Sequence, residues 1–241
     1  NLSHFEKLTT DFGMIQFSKI NQPDLSTGYT IDDNARAMAA MCMHYELFNS
    51  KKDLSYIKTY LDYIEFCQQE DGSFLNYVSI DKEFTQQNFK ENLEDSNGRA
   101  VWALGYLLSK GHILPKALRV QAENILNKTF GHLETIHSTR AMAFAVKGLH
   151  YYLTTTESLK ARKLLETLAN RIVQMYRHES GADWKWFEHY MTYGNSILPE
   201  AMLCAWMSTG DVVYKNIARE SFDFLLRHTF DETGIKVIPN D

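Results

Sequence analysis

The chain has 241 residues, enough for a sizeable hydrophobic core without a metal or disulfide staple. Apolar residues make up 44 % and charged residues 23 %, an ordinary balance for a globular protein. Net charge is −5, from 25 basic and 30 acidic side chains with no basic stripe, so nucleic acid and anionic membrane are poor partners. Only 4 Pro and 12 Gly are present, which argues against a β-sandwich with a turn every ten residues. Cys42, Cys67 and Cys204 are an odd set without C-x-x-C spacing. They predict neither a disulfide framework nor a zinc site, and they favour a reducing, cytoplasmic setting. No apolar run reaches the ~18 residues of a membrane span, and no signal peptide is visible.

In chain order, the pattern predicts helices throughout, all in one domain over 1–241. An outer helix ends over residues 4–10. Segments 31–48, 95–109, 137–153 and 196–208 are rich in Ala, Met, Leu and aromatics. Val101–Leu108 and Met142–Val146 are apolar almost all round, as in helices buried on every side. Segments 53–69, 115–130, 157–177 and 212–228 alternate with them and are amphipathic. Buried and half-exposed helices in alternation predict helical hairpins in two layers.

Two repeats support this arrangement. Asp32-Asp33-Asn34-Ala35-Arg36-Ala37 and Asp95-Ser96-Asn97-Gly98-Arg99-Ala100 both read D-x-N-x-R-A. The third buried helix keeps Ser138-Thr139-Arg140-Ala141, and the fourth has Glu200-Ala201. Ala37, Ala100, Ala141 and Ala201 stand 63, 41 and 60 residues apart, one hairpin per repeat of a solenoid or toroid. A second repeat follows the outer helices: an acidic residue, a turn glycine and a short extended piece, at 11–17, 70–74, 179–184 and 231–237. The sequence begins at Asn1 rather than Met. It stops at Ile238-Pro239-Asn240-Asp241, where a further buried helix is expected, as in part of a larger barrel.

The links from outer to inner helices should converge on one face. Asp32, Asp33, Glu94, Asp95, Glu188, Arg36, Arg99 and Arg140 would share it. Paired carboxylates at a cavity mouth are the equipment of glycosidic bond cleavage. Asp33 precedes Arg36 by three residues and Asp95 precedes Arg99 by four, so both are candidates for an ionised base. Glu188 sits among aromatics, where burial would suit a general acid. Asp33, Asp95 and Glu188 are therefore the catalytic candidates. The same pattern is also ordinary N-capping and i,i+4 pairing. Trp184, Trp186 and Tyr193, with Tyr29, Phe74 and Tyr77, would form an aromatic rim for sugar rings, or else plug the core. His137 is a further candidate at the third buried helix, either a base or a cap. Asp32-Asp33-Asn34-Ala35-Arg36 lacks the last aspartate of a magnesium–diphosphate motif, and no metal or cofactor is expected. No G-x-S-x-G, P-loop or H-E-x-x-H occurs.

Three stretches carry a resemblance: STGYTIDDNARAM (26–38), EDSNGRAVWALGYL (94–107) and WKWFEHYMTYGNSILPEAML (184–203). They resemble the six-hairpin glycosidase superfamily of (α/α) toroids, and within it (α/α) domains attached to bacterial glycosyltransferase-type proteins. The resemblance implies an oligosaccharide or glycan ligand, a pocket at the inner-helix N-termini and, in most members, inverting acid–base hydrolysis. It also implies a glycosyltransferase-type domain, fused or separate, as partner. Two departures stand out: four hairpins where a closed ring needs about six, and Gly194-Asn195 where the first repeat has Asp33-Asn34. The expectation is an all-α hairpin toroid, complete or partial, that hydrolyses carbohydrate. The alternatives are a non-catalytic carbohydrate-binding or interaction module and a sugar epimerase, for which His137 and His189 are the candidate basic pair.

Overall fold

A computed structural model describes residues 2–232 and 234–238. The short α1 (Ser3–Leu8) is followed by α2 (Ile31–Phe48), α3 (Lys51–Cys67), α4 (Glu94–Ser109), α5 (Lys116–Leu133), α6 (Thr139–Leu153), α7 (Leu159–Glu179), α8 (Ile197–Thr209) and α9 (Val212–Thr229). Strands are two-residue antiparallel pairs: β1 (Ser18–Lys19) with β2 (Gln22–Pro23), β3 (Tyr29–Thr30) with β4 (Tyr77–Val78), and β5 (Phe230–Asp231) with β6 (Gly234–Ile235). The expected all-α hairpin architecture is present. The fourth turn, over 231–237, falls on β5 and β6; Thr233 within it and 239–241 after it lie outside the described residues.

Local chemistry sets the helix ends. The side chains of Thr30, Ser138, Ser158 and Asp211 accept from the backbone N–H groups of Asp33, Ala141, Ala161 and Val213. Each satisfies a donor that the first helical turn leaves unpaired. Asn49 and Gly210 end α2 and α8 in the left-handed conformation.

Packing then orders the layers. The inner helices pack in sequence, α2 on α4, α4 on α6 and α6 on α8, and each outer helix packs on its own inner partner. No comparable packing joins α8 to α2, so the four hairpins form an arc. Glycines let α4 and α6 approach at backbone distance. A Cβ on Gly105 would lie 1.9 Å from the Gly148 carbonyl oxygen, and one on Gly98 would lie 2.6 Å from that of Ala141.

The expectation that the inner helices are buried on every side needs correction. Trp102 and Phe144 are only half-buried, and Ala40, Met43, Leu47, Leu203 and Met207 are exposed. An arc of inner helices has two faces, and only the one against the outer layer is covered. On the uncovered face, Lys147 lies 4.8 Å over the Trp102 ring and pairs with Glu200 at 2.7 Å.

The two sequence repeats turn out to be one device. The Asn34 amide accepts from Met14 N at 2.8 Å and donates to Met14 O (3.3 Å) and Thr30 O (2.8 Å). Asn97 does the same to Phe74 N (2.7 Å), Phe74 O (2.9 Å) and Leu93 O (2.8 Å). The asparagine of each helix start clamps the extended piece that follows the preceding turn.

One consequence is measurable. His150 on α6 is nearly buried, with Nδ1 2.8 Å from the Ser208 hydroxyl, and burial lowers its pKa. Its folded-state value lies below the unfolded ~6.5. The stability it contributes is therefore present above that pH and lost as pH falls through the folded value. Thermal unfolding followed by circular dichroism should give a wild-type Tm that drops between pH 7 and 5. His150→Gln should flatten that drop; a variant as steep as wild type would refute the assignment.

Candidate functional site

The N-terminal ends of the inner helices carry two adjoining polar clusters. The first joins α2 to α4. Thr30 caps α2 and donates to Asp33 Oδ2 at 2.6 Å. Arg36 Nη2 reaches Asp33 Oδ1 (2.8 Å) and Asp32 Oδ2 (3.1 Å) on its own helix. Asp32 Oδ1 then pairs with Arg99 Nη1 of α4 at 3.0 Å, and the Arg99 guanidinium lies 4.9 Å from the Phe144 ring centre. Burial pushes the Asp33 carboxyl up, against the opposing pull of Thr30 and Arg36.

The second cluster joins α4, α6 and the 184–195 loop. Glu94 Oε2 accepts from the backbone N–H groups of His137 (2.8 Å) and Ser138 (2.5 Å), so a carboxylate of α4 caps α6 from outside. Asp95 accepts from the Ser138 hydroxyl on one oxygen and from the Tyr193 hydroxyl on the other. Arg140 has only 5 % of its side chain exposed. Its Nη1 lies 2.8 Å from both Glu188 oxygens, its Nε donates to Tyr193 O at 2.6 Å, and its Nη2 donates to Asn195 Oδ1 at 3.3 Å.

These residues enclose a cavity of about 340 Å³ bordered by Asp95, His137, Arg140, Glu188, Tyr190 and Tyr193. A groove of about 600 Å³ adjoins it, sharing Thr139, Glu188 and Tyr190 and adding His178 and His189. The imidazoles of His137 and His189 belong to exposed residues.

The sequence candidates therefore divide. Asp95, His137, Arg140, Glu188 and Tyr193 line the cavity, and Glu94 braces it. Asp32, Asp33, Arg36 and Arg99 form the separate α2–α4 network and are not among the residues lining it. Several expected rim aromatics are not at the rim. Tyr29 is 3 % exposed, with its hydroxyl 3.1 Å from Thr10 Oγ1 and its ring edge-on to Phe12. Phe74 is buried under the Asn97 clamp. Trp186 is wholly buried, stacked on Phe224 in the core. Trp184 is half-buried and donates to Glu188 O at 2.7 Å, so it braces the loop. Tyr77 donates to Glu91 Oε2 at 2.5 Å. The physical reason is that a loop following an outer helix must seal the layer interface, and its largest apolar rings do so at the greatest gain.

The expected acid and base environments are also exchanged. Glu188 was expected among apolar rings, yet it is ion-paired with Arg140; Asp33, the expected base, is the carboxyl that burial raises. Sequence reasoning missed Tyr190 in the cavity wall and Asn195 as a holder of Arg140. No periodicity marks either, because both act through the fold of an irregular loop.

Among the described residues, no group of three or more His, Cys, Asp and Glu is placed to hold a metal ion. No described helix is long and apolar enough to cross a membrane.

No family model matches the sequence, and no curated protein matches it. Solved structures do match by fold. A D-mannose isomerase aligns with TM-score 0.72 at 14 % identity, over 97 % of this chain and 70 % of that one. A cellobiose 2-epimerase from Bacillus thermoamylovorans B4167 aligns with TM-score 0.73 at 10 % identity, over 96 % of this chain and 70 % of that one. At 10–14 % identity this likeness is one of fold alone, the layered helical hairpins.

Proposed function

We propose that this chain is a carbohydrate-active protein whose sugar occupies the cavity between α4, α6 and the 184–195 loop. The observation that carries this reading is the convergence there of Asp95, His137, the Arg140–Glu188 pair and the rings of Tyr190 and Tyr193. Carboxylates, a guanidinium and an imidazole bind hydroxyl groups, and aromatic faces stack on the C–H faces of sugar rings. The solved neighbours, a D-mannose isomerase and a cellobiose 2-epimerase, support the same class of ligand.

The reaction favoured by the side chains is proton transfer next to a sugar carbonyl. His137 in the cavity, with His189 in the adjoining groove, supplies exposed imidazoles that can accept and return a proton. One imidazole would take the proton from C2 of an open-chain aldose, leaving an enediolate. The imidazolium would return it to C1 as the O2 proton passes to O1, giving a ketose, or to the other face of C2, giving the epimer. Hydrolysis by Asp95 and Glu188 fits less well. Both Glu188 oxygens face Arg140, and each Asp95 oxygen already accepts a hydroxyl, from Ser138 or Tyr193. That same engagement favours a second reading, a carbohydrate-binding or interaction module without catalysis that serves a larger glycosyltransferase-type protein.

One experiment separates these readings. A panel of aldoses, ketoses and oligosaccharides is incubated with protein in deuterated buffer and followed by proton NMR. The expected result is loss of the C2 proton and appearance of an isomer, slowed at least ~100-fold by His137→Asn. Cleavage without exchange would instead favour Asp95 and Glu188 as hydrolytic residues. Binding without turnover would favour the module. No binding by any sugar would overturn the carbohydrate reading.

A further inference from the structure

The loop over the cavity is held differently along its length. Its first half is anchored, with Trp186 and Phe187 wholly buried. Its second half is exposed at His189, Tyr190, Tyr193 and Gly194. Tyr193 ties this half to the helices. Its hydroxyl donates to Asp95 of α4, and its ring centre lies 4.9 Å from the Arg140 guanidinium. Gly194 follows at φ +59°, in the left-handed region, and a Cβ there would meet nothing within 4 Å.

A carboxylate facing a sugar cavity accepts from hydroxyl groups, and the Tyr193 phenol is itself such a donor. Burial and the bond to Asp95 push its pKa up to about 12, so it stays protonated and able to donate. It therefore occupies one of the two Asp95 oxygens that a ligand hydroxyl would use; Ser138 occupies the other. We infer that Tyr193 is a latch on the cavity, and that a ligand hydroxyl displaces the phenol from Asp95 and loosens the exposed 189–193 segment, while Arg140 Nε keeps hold of the Tyr193 carbonyl. The inference rests on the carbohydrate reading only for the identity of the displacing ligand.

The latch competes with the ligand, so its removal should tighten binding. Amide hydrogen exchange of peptides spanning 187–196 is measured in wild type and Tyr193→Phe, without sugar and with each sugar of the panel. Without sugar, Tyr193→Phe should exchange several-fold faster in this segment. The peptides of α4 and α6 should stay at the wild-type rate. A sugar that binds wild type should bind Tyr193→Phe about tenfold tighter, a change of about 1.4 kcal/mol. Unchanged exchange in Tyr193→Phe would overturn the latch. So would weaker sugar binding, which would make the hydroxyl a ligand contact rather than a competitor. Faster exchange with no sugar bound by either protein would uphold the latch and overturn the carbohydrate reading instead.

Discussion

Gly105→Ala should destabilise the fold by about 3 kcal/mol or more, the upper end of overpacking costs. The new Cβ would sit 1.9 Å from the Gly148 carbonyl oxygen, 2.6 Å from its carbon and 2.8 Å from its Cα. All three are backbone atoms of α6, so no side chain can swing away, and the two central inner helices must part. Gly131→Ala is the matched control. Gly131 lies in α5 with nothing within 4 Å of a built Cβ. There the alanine should stabilise by roughly 0.5–1 kcal/mol, through a less flexible unfolded chain and better helix propensity. Urea unfolding of both variants is the measurement. Similar shifts of the same sign would mean that α4 and α6 do not meet at backbone distance.

Arg140→Met should cost about 3–5 kcal/mol, the range for breaking a buried ion pair from one side. Glu188 would be left half-enclosed without its cation, Tyr193 O would lose the Arg140 Nε donor, and Asn195 Oδ1 would keep the Thr192 N–H but lose Arg140. Arg140→Lys should recover little, because an ammonium cannot span these acceptors as the planar guanidinium does. Combining Arg140→Met with Glu188→Leu should restore most of the stability, since no uncompensated charge then remains. If the cavity binds sugar, affinity should stay lost in this double variant. Chemical denaturation and sugar titration by Trp fluorescence read the two effects separately. A single variant as stable as wild type would show that Arg140 does not hold the loop. A double variant that is stable and binds sugar normally would remove the pair from the binding site.

Helices and their order were legible because their determinants are local. The first inner helix was expected over 31–48 and runs over Ile31–Phe48; the last outer helix was expected over 212–228 and runs over Val212–Thr229. Apolar spacing at 3.6 residues and capping side chains act within a few turns, and both can be read along the chain. The site was legible only as a set of residue types. Asp95, Arg140, Glu188 and Tyr193 were visible as candidates, but nothing in their spacing pairs Arg140 with Glu188 across 48 positions or Tyr193 with Asp95 across 98.

By itself, then, the sequence determined the helical hairpins, their alternation and the face on which their links gather, because periodicity and capping are short-range effects. Tertiary structure alone decided which aromatic rings seal the core, as Trp186 does, and which carboxylates face a cavity. It also decided why Gly105 must be glycine and why Asn34 and Asn97 recur. Each of those outcomes depends on an atom from another hairpin arriving within bonding or contact distance. Chain closure over tens of residues brings it there, and no local pattern encodes that distance.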